Sequence, residues 1–142
     1  MFELTDAIGS GDRPRALAAV SSLCDQRESA VGVVVMLARH IRQLSTLLTL
    51  RASNTPRSEW ASKIGVPPFV VDKLLAQAKH FSPRALAAAT RRLAEADRAL
   101  KGDITLDSRA ATYTGPQMKA LGRDLGERVI LETVVDAIVT GG

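Results

Sequence analysis

Residues Ala30 to Ala52 read AVGVVVMLARHIRQLSTLLTLRA, and this run decides the fold class. Val34, Leu37, Ile41, Leu44 and Leu48 recur at the period of one helix face. Val33, Met36 and Leu47 lie beside that face, and a helix apolar on more than one side belongs at the centre of a bundle. Ser53-Asn54-Thr55-Pro56 ends it.

Upstream, Asp12 caps a helix with Pro14 in its first turn, and Ala16, Leu17, Val20 and Leu23 carry the period to about Gln26. Before it, Phe2 to Ile8 reads as a short helix stopped by Gly9-Ser10-Gly11, so residues 1–10 form a short linker helix. Downstream, Ser58 to Ile64 is a brief helix containing Trp60 and closed by Gly65. Pro67 and Pro68 preset the next start, with Val70, Val71, Leu74, Leu75 and Ala78 running as far as Phe81. Ser82-Pro83 caps a helix reaching Lys101, which places Leu86, Leu93 and Leu100 seven apart and repeats Arg84, Arg91 and Arg98 at the same interval on another stripe. Residues 102–117 have mixed polarity without period and read as a loop. Residues 117–139 form the last helical region, with a break expected near Gly122 to Gly126; its Val129-Ile130 and Val134-Val135 pairs admit a strand, but Ile130, Val134 and Ile138 favour helix.

Composition agrees with this reading. Among 142 residues there are 21 Ala and 17 Leu but only five aromatics, which favours helix over strand. With 46% hydrophobic and 24% charged residues the chain can bury a core, and its length fits one domain, 1–142, of about six helices. No run approaches the ~18 consecutive apolar residues of a membrane span, and Glu3 and Asp6 stand where a signal peptide would be positive. A cytoplasmic protein without membrane contact is expected. Cys24 is the lone cysteine, excluding an intrachain disulfide.

Charge is uneven. Residues 31–101 hold twelve Lys or Arg against Glu59, Asp72, Glu95 and Asp97, leaving +8 in the middle of a chain whose net charge is +4. Fourteen of its nineteen cations are Arg, suited to bidentate carboxylate or phosphate contacts. A solvated face, an acidic protein surface and a nucleic-acid backbone all fit such an excess, and any DNA contact is expected to be weak and sequence-independent.

Catalytic and ligand chemistry is sparse. Gly9-Ser10-Gly11-Asp12 sets an acid where a phosphate loop would need positive charge, so no nucleotide cofactor is expected. His40 and His80 have no Cys or His at ligand spacing, which leaves them as partly exposed helix residues rather than metal ligands. Asp124 and Glu127 read as solvated charge, and no enzyme is expected. Within residues 58–81, Ala61, Gly65, Val71 and Leu74 fall where a helix-turn-helix needs a small contact, a turn glycine and packing residues. A DNA-binding regulator is the alternative function on this pattern. Base readout, however, requires polar side chains at the second helix start, where Pro67, Pro68 and Phe69 stand with one cation, Lys73. Those three residues suit protein contact instead.

Four blocks in order carry a family resemblance. They are Phe2-Glu-Leu-Thr-Asp-Ala-Ile8 with Asp12 and Ala16-Leu17; Leu37-Ala-Arg-His-Ile-Arg-Gln-Leu44; Ile64-Gly-Val-Pro-Pro-Phe-Val-Val-Asp-Lys-Leu-Leu-Ala-Gln-Ala-Lys-His-Phe81; and Leu93-Ala-Glu-Ala-Asp-Arg-Ala-Leu-Lys101. Together they resemble the C-terminal part of the delta subunit of bacterial DNA polymerase III, and Arg128 to Ile138 is similar to the family's last helix. Asp103 to Asp124 departs from it, being longer than the link expected there.

The resemblance implies a clamp-loader collar domain in DNA replication, a helical bundle through which the loader's five subunits form a ring. It implies gamma/tau-type and delta-prime-type subunits as partners. The sliding clamp would be reached only through upstream domains, which this reading places outside the chain, with Met1 an artificial start. Polymerase activity belongs to the parent holoenzyme, and delta is not a working ATPase. Arg84, Arg91, Arg98, Pro67, Pro68 and Phe69 are the candidate subunit-interface residues. Titration calorimetry with ATP is expected to show no saturable binding at micromolar affinity, because no glycine-rich loop runs into Lys and Ser or Thr.

Overall fold

The computed structural model describes residues 2–101 and 123–141. Among them are seven α-helices: α1 (Phe2–Gly9), α2 (Arg13–Asp25), α3 (Ala30–Ala52), α4 (Trp60–Ile64), α5 (Pro68–Ala78), α6 (Pro83–Leu100) and α7 (Arg123–Val139), with a 3-10 turn at Arg57–Glu59 before α4. The expected all-α bundle is present. The loop expected over 102–117 and the start of the last helical region lie outside the described residues.

Local chemistry sets most boundaries. Asp12 accepts from the Arg15 N–H, Ser29 from Gly32 and Ser82 from Ala85, so three helices begin on side-chain caps. Gly65 ends α4 at φ 83°, a left-handed conformation that glycine adopts without a Cβ clash. Two boundaries differ from expectation. Helix α5 stops at Ala78 rather than Phe81, because Ser82 must be extended to cap α6 and a residue before proline avoids the helical region. Helix α7 runs unbroken from Arg123 through Gly126, a buried residue, while Gly122, the other end of the expected break, lies outside the described residues.

The core is built around α3. Val33, Val34, Leu37, Ile41, Leu44, Leu47 and Leu50 are all buried there, with Leu44 and Leu47 fully closed to solvent. Helix α3 packs most extensively on α6, then on α5, α4 and α7, while α7 lies mainly against α6 and α2, and α1 against α2. By length and hydropathy alone α3 could cross a membrane, with a mean hydropathy of 1.3, but that composition also suits a bundle centre, and Arg39, His40 and Arg42 interrupt it.

Polar ties fix the outer helices. Arg128 on α7 donates to Ser21 Oγ on α2 at 2.5 Å and lies 3.6 Å from Asp25, and Arg13 on α2 pairs with Asp136 on α7. On the other side, Lys73 of α5 pairs with Asp6 of α1 at 2.5 Å. A Cβ on Gly9 would collide with the Gln77 side chain, so the glycine lets α5 lie across the end of α1.

His40 stands beside this α1–α5 contact, half-buried, with Nε2 closed to solvent and without a hydrogen-bond partner among the described residues. Burial lowers its pKa from 6.5, and the Gln77 side chain opposes that only in part. The unfolded chain therefore takes up the proton more readily than the folded one, so this contribution is complete above pH 6.5 and is lost progressively below it, until pH passes the lowered folded value. Melting followed from about pH 7 to about pH 5.5 should show a decline that His40→Gln flattens. Leu44→Ala should cost about 3 kcal/mol in denaturant unfolding, since it opens a cavity at the most enclosed point of α3.

Candidate functional site

Helix α6 owes its one-sidedness to a short repeat. Leu86, Ala89, Leu93 and Ala96 are buried against α3 and α7, and Leu100 is half-buried at the end of the same stripe. Arg84, Arg91 and Arg98 fall on the outward side and are all exposed. Successive arginines are about 10.5 Å apart along the axis, two turns each. None of the three forms an ion pair among the described residues. Asp97 instead pairs with Lys101 at 2.9 Å, one helical turn on.

The second candidate surface is the turn between α4 and α5. The N–H groups of Gly65 and Val66 both donate to the Ala61 carbonyl, at 2.9 and 3.0 Å, which closes α4 after barely more than one turn. Pro67 is extended, Pro68 opens α5 and Phe69 follows in its first turn, so no long polar side chain stands at that helix start. All three are exposed, Phe69 by 75%. Phe69 lies at a groove of about 640 Å³ between α1, α3 and α5, lined also by Met36, Val70 and His40. Trp60 anchors the base of the turn, buried, with its indole N–H donating to the Thr55 carbonyl at 2.9 Å. Arg57 pairs with Asp72 across the same turn.

Residues 58–81 thus form a helix, a turn and a second helix, but not a surface for reading bases. Helix α4 has only five residues, Lys73 is engaged by Asp6, and the exposed start of α5 is apolar. The regulator alternative is not favoured. The two candidate surfaces lie on separate helices, α6 packed mainly on α3 and α7, α5 mainly on α3 and α4.

His80 is exposed but stands in the turn after α5 rather than on a helix, because α5 ends at Ala78, whereas His40 is a partly exposed residue of α3 whose Nε2 is enclosed. The neighbours of His40, namely Asp6, Lys73 and Gln77, come from helices far apart in sequence, so spacing alone does not bring them together. One signal existed: Gln77 continues the Val70, Val71, Leu74 face of α5 and is itself buried. Among the described residues no three His, Cys, Asp or Glu side chains group as a metal site. Burial pushes the Cys24 thiol up, opposed by Arg128 nearby, so it is a poor nucleophile.

Over residues 1–110 the chain matches the family model described as the DNA polymerase III delta subunit, C-terminal domain. Neither a curated protein nor a solved structure matches it. The family match takes in every helix from α1 to α6, in the order in which they build the bundle around α3. The chain therefore belongs to the family formed by the C-terminal domain of the DNA polymerase III delta subunit, a non-catalytic module of the clamp loader.

Proposed function

We propose that this chain acts as one domain that holds the delta subunit in the clamp loader during DNA replication, in the cytoplasm, by binding gamma/tau-type and delta-prime-type subunits. The observation that carries this reading is the division of α6 into two faces. Leu86 and Leu93 are taken up by the domain's own core, which leaves Arg84, Arg91 and Arg98 as an ordered, exposed row that pairs with none of the described residues. A module that only needed to fold would gain little from that row, because exposed charges contribute little to stability. Pro67, Pro68 and Phe69 offer a second, apolar contact, where covering Phe69 would add about 2 kcal/mol of driving force.

The variant Arg91→Glu/Arg98→Glu tests this directly. Its helicity and melting should match the parent, and its affinity for purified gamma/tau-type and delta-prime-type subunits should fall about a hundredfold, as like charges meet across a partly desolvated contact. Unchanged affinity would make the row a solvated face and move the interface to Pro67–Phe69.

A further inference from the structure

The Arg row is half of a longer pattern. Arg84, Ala87, Arg91, Ala94, Arg98 and Lys101 are all exposed, and they follow one another at alternating intervals of three and four residues. Those are the a and d positions of a heptad repeat, with Arg at each a position and Ala at the first two d positions. Such spacing draws a nearly straight seam along a helix, here about 25 Å long from Arg84 to Lys101. The opposite seam, with Leu86, Ala89, Leu93 and Ala96, is already buried in the domain. Helix α6 therefore carries two seams, one used and one open.

The residue types on the open seam specify what fits it. Alanine has no side chain beyond Cβ, so at Ala87 and Ala94 a second helix can approach to the short end of the usual 8–10 Å interaxial range. At that distance arginines to either side reach round the partner rather than hold it off, and each guanidinium offers a planar fork matched to a carboxylate. Three forks at a two-turn repeat match carboxylates at the same repeat on a helix. From this we infer that the open seam of α6 receives an acidic α-helix of a neighbouring loader subunit, with Glu or Asp at seven-residue spacing facing Arg84, Arg91 and Arg98. The inference rests on the assembly reading above and adds the form of the contact: close helix packing at the alanines with charge pairing at the arginines.

Substitutions at the alanines separate this from simple attraction of charges. In the full chain, Ala87→Gln/Ala94→Gln keeps every charge and remains compatible with a helix, so melting should be unchanged. Its affinity for the purified gamma/tau-type and delta-prime-type subunits should drop about tenfold, because two bulky side chains hold the partner helix away. Arg91→Lys/Arg98→Lys should also lose about tenfold, since a point charge replaces the fork. Arg42→Glu/Arg51→Glu, an equal charge change on exposed positions of α3, should assemble like the parent. If Ala87→Gln/Ala94→Gln assembles normally, or the α3 variant loses as much as Arg91→Glu/Arg98→Glu, the helix-on-seam contact is wrong while the assembly reading stands. If the parent chain is not captured by those subunits at all, the assembly reading falls and this inference with it.

Discussion

Burial of one long stripe on α3 is the constraint on which the rest of the structure depends. Val33 through Leu50 give α3 an apolar surface that water disfavours, and no single neighbouring helix is wide enough to cover it. Four helices share the task, with α6 taking the largest part and α5, α4 and α7 the remainder. Because a helix can cover α3 only with its own apolar side, each covering helix leaves a polar side outside. The outward placement of the α6 arginines thus follows from how the core is filled.

Orientation within that arrangement is set by contacts weaker than the core itself. Apolar packing is weakly directional, whereas the Lys73–Asp6 pair and the Gln77 side chain over Gly9 favour the observed placement of α5 on α1. Arg128, Ser21, Asp25 and Asp136 with Arg13 do the same for α7 on α2. Exposed pairs of this kind add little to stability. Their effect is to choose among packings that the apolar residues alone would leave close in energy.

How much of this was legible in the sequence follows from the range of each signal. The span of α3, the caps at Asp12 and Ser82, the left-handed glycine at 65 and the outward Arg row all arise from neighbours within about two helical turns, and all were readable. The end of α5 is less legible, because apolar periodicity carries past Ala78 to Phe81 while Pro83 demands only that Ser82 be extended. The enclosure of His40 could not be read, since it depends on α1 and α5 meeting over α3, and nothing near residue 40 encodes that. Gln77 was the single local clue. The interface candidates could be named but not joined, because each is a surface pattern and the two lie on separate helices.

The position of α7 has a bearing on how the domain comes to be folded. It lies against α2 and α6 and also reaches α1 and α3, so Ile130, Leu131, Val134, Val135 and Ile138 complete a core begun by the first hundred residues. A ribosome that has finished Leu100 must add thirty-eight more residues before Ile138 is made, a delay of several seconds at roughly 5–20 residues per second. Any packing reached among the first hundred residues in that interval leaves the sides of α2 and α6 that α7 covers open to water. Those two helices are the most polar of the long ones, rich in alanine and arginine and spare in large apolar groups. A surface that must wait for its cover is safest when it is only sparingly sticky.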